Sequence, residues 1–169
     1  MNSPGFLINE TEMEICILSI GKISTQWIKE GIDLFESRIC KYLKFSNIII
    51  PDIKNAKSLS KESLKEEEGK LILSNLTSSD FIVIMDERGK EFTSRDFANW
   101  IQKQMNTGRK RLVIIIGGPF GFSQNIYQRA DLSISLSKMT FTHEMAKLVL
   151  TEQLYRSMTI LKGEPYHHD

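Results

Sequence analysis

The hydrophobic positions along the chain form short apolar runs that alternate with longer amphipathic segments. Consecutive β-branched residues predict buried strands, whereas apolar residues spaced three to four apart predict helices. The predicted strands are Met13–Ile20, Phe45–Ile50, Phe81–Met85, Leu112–Ile116 and Leu132–Leu136. The predicted helices are Gln26–Leu43, Lys61–Asn75, Arg95–Asn106, Ser123–Arg129 and His143–Leu161. This alternation indicates an α/β fold with a mostly parallel sheet and helices on both faces.

Polar segments mark where these elements begin and end. Residues 52–60 and 86–92 predict loops, and Thr25 and Ser94 are expected to cap the helices that follow them. The acidic run Glu66-Glu67-Glu68 is expected to face water. No segment is long enough to be a linker, so we expect one domain.

Length and composition fit one globular domain. The chain has 169 residues and a mass of 19.4 kDa, with 41% hydrophobic and 25% charged residues, close to the globular average. No apolar run approaches the roughly 20 residues that cross a bilayer. Residues 1–12 contain neither Lys nor Arg and do not resemble a secretory signal, and we expect them to be a disordered extension. The expectation is a single cytoplasmic domain over residues 13–169, with no membrane contact.

The charge balance argues against a protein that holds naked nucleic acid by electrostatics alone. The 22 Lys and Arg residues are offset by 21 Asp and Glu residues, which leaves a net charge of +1. Residues 81–169 carry 12 basic and 9 acidic side chains, a weak indication that an anionic partner meets this half. Cys16 and Cys40 are expected to be buried thiols in a reducing compartment, and no Cys/His spacing suggests a metal site.

Three loops that follow predicted strands contain residues suited to ligand binding. Ligands of open parallel sheets bind beyond the carboxyl ends of the strands. Met85 ends the third strand and precedes Asp86–Lys90, whose charged side chains are expected to be solvated. Gly117–Gly121 (GGPFG) lets backbone N–H groups approach a ligand, although a mere tight turn is an equal alternative. Ser135–His143 places hydroxyl groups, a lysine and a histidine ahead of the last helix.

The last helix and the tail hold the remaining candidates. Apolar residues run round most of the helix, which suggests that a second subunit covers it as well as the sheet. Arg156 lies among them, and either Glu152, four residues earlier, pairs with it or an anionic ligand does. The tail, Glu164–Asp169, contains one tyrosine and two histidines, which would bring a stacking face and titratable groups to a site if ordered.

Five segments taken together resemble one enzyme family. In order, they are Ser19–Lys22 (SIGK), Leu112–Gly121 (LVIIIGGPFG), Leu136–His143 (LSKMTFTH), Thr151–Arg156 (TEQLYR) and Gly163–His167 (GEPYH). Their order and spacing resemble the RlmH-type SPOUT methyltransferases, which act on a pseudouridine of bacterial large-subunit ribosomal RNA. The resemblance extends from Met13 to the C-terminus.

The resemblance implies a fold, a cofactor and an assembly. The fold would be a SPOUT α/β-knot with a five- to six-stranded sheet and a C-terminal trefoil knot over about residues 80–163. The protein would be a homodimer that binds S-adenosylmethionine (SAM), without a metal ion, in the loops of the knot. Carried onto this chain, the cofactor-binding positions are Met85, Gly117, Gly118, Leu136, Ser137, Lys138, Met139, Thr140, Phe141 and Thr142.

The implied activity is methylation of N3 of a pseudouridine in 23S ribosomal RNA. The nucleophile is an imide nitrogen that must lose its proton, and the enzyme must align it with the methyl group. His143, His167 and His168 are candidates to accept the proton. Arg156 could stabilise negative charge or grip phosphate, and Tyr166 could stack on a base. Because the net charge is close to zero, we expect the substrate to be the assembled ribosome.

The sequence departs from the family pattern at Thr142, Lys147 and His168, where members often have Pro, Arg and a permanently basic residue. These departures leave open a non-catalytic ribosome-binding module that retains the knot. A second alternative is a SPOUT methyltransferase that acts on transfer RNA. The match of Tyr166 and His167 to the family ending argues against this second alternative.

Overall fold

The computed structural model describes residues 13–168, so the predicted extension at residues 1–12 lies outside the described part. The strands are β1 (Glu14–Ile20), β2 (Lys44–Ile50), β3 (Phe81–Glu91), β4 (Arg111–Ile116) and β5 (Leu132–Ser135). The helices are α1 (Gln26–Ile39), α2 (Lys61–Ser74), α3 (Ser94–Met105), α4 (Gln124–Arg129) and α5 (His143–Lys162), with a short 3-10 helix at Ala56–Ser58. Each predicted strand and helix is present. No helix in this part of the chain is long and apolar enough to cross a membrane.

The strands form one five-stranded sheet in the order β2-β1-β4-β3-β5. Every pair of neighbouring strands is parallel, which confirms the predicted sheet. The carboxyl ends of all five strands therefore lie at one edge. Because β4, β3 and β5 are adjacent, the three loops that follow or interrupt them meet at that edge, which is where ligands of such sheets bind.

Helices cover both faces of the sheet, as predicted. Side chains alternate along a strand, so Ile15 and Ile17 of β1 pack in the layer of α1, α3 and α5, whereas Cys16 and Leu18 pack in the layer of α2 and α4. The apolar side chains of β4 are buried throughout Leu112–Ile116. Each such side chain contributes roughly 1.5–3 kcal/mol relative to an exposed one. This core holds the loops of the carboxyl edge in place.

β3 is longer than predicted because the charged segment after Met85 is a bulge within the strand and not its end. Met85 and Lys90 both pair with Ile134 of β5, and residues 86–89 loop out between them. A Cβ on Gly89 would lie 2.6 Å from the backbone nitrogen of Ile134, so the close approach of the two strands requires glycine here. The bulge projects at the carboxyl edge of the sheet.

Some helix boundaries differ from the prediction. Thr93, and not Ser94, is the N-cap of α3, and its Oγ1 accepts a hydrogen bond from the Asp96 N–H at 3.1 Å. Thr25 occupies the predicted N-cap position of α1 but makes no side-chain cap hydrogen bond. The last turn of α1 ends at Ile39, earlier than predicted.

Two expectations about burial are wrong. Cys16 is buried as predicted, but Cys40 is exposed, because α1 ends one residue before it. Glu66 and Glu67 face water as predicted, but Glu68 is only 5% exposed. One of the three carboxylates of the acidic run therefore points towards the protein interior.

Candidate functional site

A cavity of about 820 Å³ lies at the carboxyl ends of β3, β4 and β5. This volume is typical of sites that enclose a small molecule. Nine of the ten predicted cofactor-binding residues line it, and so does His143. The nine are Met85, Gly117, Gly118, Leu136, Ser137, Met139, Thr140, Phe141 and Thr142. The three loops chosen from the sequence therefore form one site.

The glycine loop after β4 forms one wall of the cavity through its main chain. A Cβ on Gly118 would lie 2.5 Å from Oε1 of Glu68, so a larger residue fits there only if the Glu68 side chain moves away. The loop turns back on itself, because the Gly121 N–H donates to the Gly118 carbonyl oxygen at 3.2 Å. Because glycine has no side chain, Gly118 lines the cavity with its backbone alone.

The loop between β5 and α5 forms the second wall and is held by its own hydrogen bonds. The Met139 N–H donates to Ser137 Oγ at 3.0 Å, and Ser135 Oγ donates to the Ser137 carbonyl oxygen at 2.9 Å. Lys138 lies in this turn with its side chain exposed, and it is the one predicted cofactor-binding residue that does not line the cavity. Met139 and Phe141 remain 76% and 39% exposed at the cavity mouth. Apolar side chains left exposed beside a cavity are typical of a binding site.

The bulge of β3 forms the third wall, and two of its charged residues, Asp86 and Arg88, are paired with each other. Tyr127 Oη donates a hydrogen bond to Asp86, and Arg88 contacts both, with its Nε 3.3 Å from Asp86 Oδ1. Partial burial raises the pKa of Asp86, but the hydrogen bonds from Tyr127 and Arg88 outweigh burial and hold this pKa below its ordinary value. Burial and the Asp86 hydrogen bond raise the pKa of Tyr127. Asp86 is therefore a structural carboxylate, not the solvated one expected, and Tyr127 is a cavity residue that the sequence did not indicate.

The first residues of α5 are fixed at the cavity edge. Thr142 Oγ1 accepts from the Met145 N–H at 3.2 Å, so Thr142 is the N-cap of α5. Glu144 Oε1 accepts from the N–H and the Oγ of Ser24 at 2.7 and 2.8 Å. Hydrogen bonds from Ser24 and Thr25 lower the pKa of Glu144 to about 2. These contacts hold His143, which is half-buried, beside the cavity.

The other predicted catalytic residues form a cluster near the C-terminal end of α5. Arg156 donates from Nε and Nη2 to Glu152 Oε1 at 3.0 and 2.5 Å, so Glu152 is the partner of Arg156. Tyr166 Oη donates to the same oxygen at 3.0 Å. Nη1 of Arg156 lies 3.2 Å from Nδ1 of His167, and the guanidinium lies 4.8 Å from the centre of the Tyr166 ring. We call Glu152, Arg156, Tyr166 and His167 the tail cluster.

The tail cluster is well separated from the cavity of the same chain. Arg156 comes thirteen residues after His143 on α5, which is about 20 Å along a helix axis at about 1.5 Å per residue. Arg156, Tyr166 and His167 do not line the cavity, and His168 is exposed beyond them. Within one chain, the tail cluster therefore lies outside the cavity that His143 borders.

Lys147, where the resembling family often has arginine, is a buried structural residue. It is 1% exposed, and its Nζ donates to Ser19 Oγ at 3.0 Å and to Asn47 Oδ1 at 2.7 Å. Burial lowers the pKa of Lys147, against the opposing effect of the Glu36 carboxylate. Lys147 does not line the cavity, and it ties α5 to β1 and β2.

Comparisons with known proteins agree with this geometry. A family model described as "Predicted SPOUT methyltransferase" matches residues 13–167. A protein of Christiangramia forsetii named Ribosomal RNA large subunit methyltransferase H is 53% identical over 156 residues, which cover 92% of this chain and 99% of that protein. A protein of Parabacteroides distasonis with the same name is 49% identical over 157 residues, which cover 93% of this chain and 100% of that protein.

A solved structure extends the comparison to the fold. It is that of a probable methylase family protein from Haemophilus influenzae, with a TM-score of 0.52, 10% identity, and coverage of 94% of this chain and 71% of that chain. The five-stranded parallel sheet with helices on both faces defines an α/β fold of the SPOUT methyltransferase type. The chain belongs to the SPOUT methyltransferase family.

Proposed function

We propose that this chain uses SAM to methylate N3 of a pseudouridine in 23S ribosomal RNA, on assembled ribosomes in the cytoplasm. Family membership supports methyl transfer, and the shared name of the relatives supports ribosomal RNA of the large subunit as the target. The observation that carries the proposal is the cavity, because nine of the ten positions that the resemblance assigns to SAM line it.

The residues of the cavity fit SAM. Main-chain groups of Gly117, Gly118 and residues 136, 137 and 139–142 can pair with the edge of an adenine ring, because these residues line the cavity. Met85 and Phe141 offer apolar walls for the ring and the methylene groups. When bound, SAM supplies a methyl group that its sulfonium centre already activates. The protein then needs only to hold donor and acceptor in line and to assist the loss of one proton.

The proposed function includes a homodimer in which the tail cluster of one protomer lies beside the cavity of its partner. This arrangement is supported by the separation of the two sites within one chain. The exposed side chains Trp27 and Leu34, 60% and 47% exposed on α1, offer an apolar surface for the contact. Since α1 packs against α5, a partner on this surface would be close to both ends of α5.

The trefoil knot over about residues 80–163 is also part of the proposal. It is supported by membership of the family and by the way the loops around residues 117–121 and 137–142 surround one cavity. A knot would hold these loops against each other more firmly than two independent turns would be held.

The chemistry assigned to the side chains follows from their positions. His143 at the cavity, and His167 and His168 on the partner's tail, are the groups that can accept the N3 proton of the base. Arg156, which Glu152 holds in place, would stabilise negative charge on the base or bind a phosphate. The ring of Tyr166 would stack on a base.

The ribosome is proposed as the substrate because the charge of the protein is low. A net charge of +1 provides little of the electrostatic attraction by which proteins hold free RNA. Contacts with the folded ribosome would have to supply the remaining binding free energy.

Mass spectrometry of the modified RNA tests this proposal. Ribosomes that lack the modification are incubated with the protein and SAM, and the 23S RNA is digested and analysed. The expected product is N3-methylpseudouridine at one position, formed much faster on ribosomes than on naked 23S RNA. A ribosome-binding protein without turnover would give no methylated base, and an enzyme for transfer RNA would modify that RNA instead. Either outcome would overturn the proposal.

A further inference from the structure

Glu68 is a buried carboxylate directly behind the glycine loop. It belongs to α2 and is 5% exposed. Its two carboxylate oxygens lie 2.5 and 2.6 Å from the position that a Cβ on Gly118 would occupy. Gly118 lines the cavity and Glu68 does not, so the glycine backbone lies between the carboxylate and the cavity.

This carboxylate has no partner in the part of the chain that the structure describes. Between residues 13 and 168, no hydrogen bond or ion pair reaches it. Burial raises the pKa of Glu68, and the nearby carboxylate of Asp52 raises it further. The two Glu68 oxygens are not among the fully buried polar atoms that lack a hydrogen bond, so they keep some contact with water. Burial of most of the side chain without a cationic partner is nevertheless unfavourable for the charged form.

A second carboxylate lies in the same region of the carboxyl edge. Asp52 Oδ1 is 3.0 Å from the position that a Cβ on Gly21 would take, and His143 Nε2 is 3.6 Å from the same position. Asp52 is therefore close to a cavity residue and also close enough to Glu68 to affect its ionisation. The region behind the glycine loop is thus negatively charged when both groups are ionised.

We propose that the Glu68 carboxylate is the counter-charge for the sulfonium of SAM and makes the cavity prefer SAM to the product S-adenosylhomocysteine. The inference rests on the proposed function, since it requires SAM in the cavity. SAM and its product differ by one methyl group and by the positive charge on sulfur. A fixed negative charge on the far side of Gly118 attracts the positively charged sulfur of SAM but not the uncharged sulfur of the product. The product is therefore bound more weakly and released more easily. The selectivity compensates for the unfavourable burial.

Glu68→Gln is the direct test, because glutamine keeps the shape and removes the charge. Titration calorimetry on the full chain with SAM and with S-adenosylhomocysteine gives the ratio of the two dissociation constants. We expect the affinity for SAM to fall roughly tenfold, which corresponds to about 1.4 kcal/mol of lost attraction between the carboxylate and the sulfonium. The affinity for the product stays within about twofold. An unchanged ratio overturns the inference.

Two variants on the same helix serve as controls. Glu66→Gln removes the same charge from the exposed side of α2, where water screens it, and leaves both affinities unchanged. Glu68→Asp keeps the charge, so it retains most of the preference for SAM. If Glu66→Gln shifts the ratio as much as Glu68→Gln does, the effect comes from net charge and the specific role of Glu68 is refuted.

Thermal unfolding without ligand separates this role from simple support of the loop. Glu68→Gln removes an unpaired buried charge, so the melting temperature stays the same or rises. A structural role instead predicts a lower melting temperature and equal weakening of both ligands, which overturns the inference. If the wild-type chain binds neither ligand, both the proposed function and this inference fail. If the wild type binds SAM and Glu68→Gln leaves the ratio of the two dissociation constants unchanged, only this inference fails.

Discussion

The two ends of α5 carry different kinds of groups. At the first end, the cavity offers glycine main chain, hydroxyl groups and apolar side chains such as Met139, and two charged residues of its third wall are paired with each other. At the other end, the tail cluster gathers Arg156, Glu152 and two titratable or aromatic side chains in one hydrogen-bonded group. The first end resembles a small-molecule site, and the second presents a fixed cation next to an aromatic ring.

This difference suggests a division of labour. Shape and main-chain hydrogen bonds suffice to hold a nucleoside, whereas RNA brings phosphates and a base that must lose a proton. The two sets of groups lie about 20 Å apart on one helix. In the proposed dimer, each active site takes its cavity from one protomer and its charged groups from the other.

The largest effect is expected from Gly118→Val, which attacks the cavity alone. The added side chain would meet the Glu68 carboxylate at 2.5 Å and push it aside, and overpacking of up to about 3 kcal/mol beside the cavity would weaken SAM binding about 100-fold. Titration calorimetry measures this loss. Lys138→Ala is the matched control, because Lys138 lies in a cavity loop but its side chain is exposed. The affinity of this variant for SAM should stay within about twofold of the wild-type value. Full affinity of the valine variant would show that SAM does not contact the glycine loop.

Arg156→Ala attacks the tail cluster alone. It should lower kcat on ribosomes about 100-fold, the usual effect of removing one group that stabilises developing charge, while SAM binding changes little. Arg156→Lys should restore little activity, since lysine lacks the fork that binds Glu152 through two nitrogens. Single-turnover kinetics and calorimetry check both statements. Parallel losses of SAM affinity and activity would contradict the separation of the two ends.

A pair of tyrosine variants compares the ends with the same chemical change. Tyr127→Phe removes the hydrogen bond to Asp86 in the cavity wall and should weaken SAM about fivefold, within the usual cost of about 1 kcal/mol for a lost hydrogen bond. Tyr42→Phe removes the hydrogen bond to Glu164, 2.6 Å long, at the start of the tail. It should leave SAM affinity intact and raise only KM for ribosomes. The same change in SAM affinity for both variants would refute the comparison.

The smallest effect concerns the pH dependence of stability at the cavity end of α5. The pKa of Glu144 is lowered from 4.5 to about 2, so its stabilising effect is complete above about pH 4.5 and is lost as the pH falls towards 2. Glu144→Gln should therefore lose less stability than the wild type between pH 5 and pH 2. Urea unfolding at several pH values measures this difference. Parallel curves for the two proteins would show that the Ser24 hydrogen bonds contribute nothing.

The fold and most of the cavity can be predicted from the sequence because their signals are local. Apolar runs such as Leu112–Ile116 mark central strands, and parallel strands bring the loops that follow them to one edge. Glu68 could not be predicted, because its burial depends on contact with Gly118, fifty residues later. The ordered position of the tail could not be predicted either, because it depends on contacts with Arg156 and Glu152 in the preceding helix.

The bulge of β3 shows a third limit. Its sequence, Asp86–Gly89, is as polar as that of any solvated turn. Only the neighbouring β5 and the hydroxyl of Tyr127 make it a cavity wall with a partly buried carboxylate. The position of the bulge depends on pairing with a neighbouring strand, and the sequence of a short segment does not reveal that pairing.

Complementation between two inactive variants tests the central claim most directly, namely that the cavity of one protomer and the tail cluster of the other form one site. Gly118→Val and Arg156→Ala chains are co-expressed with different tags, and mixed dimers are verified by mass spectrometry of the intact complex. A mixed dimer contains one intact site, so a random mixture should show about a quarter of wild-type activity on ribosomes. If verified mixed dimers are as inactive as the two parents, the two ends do not share a site.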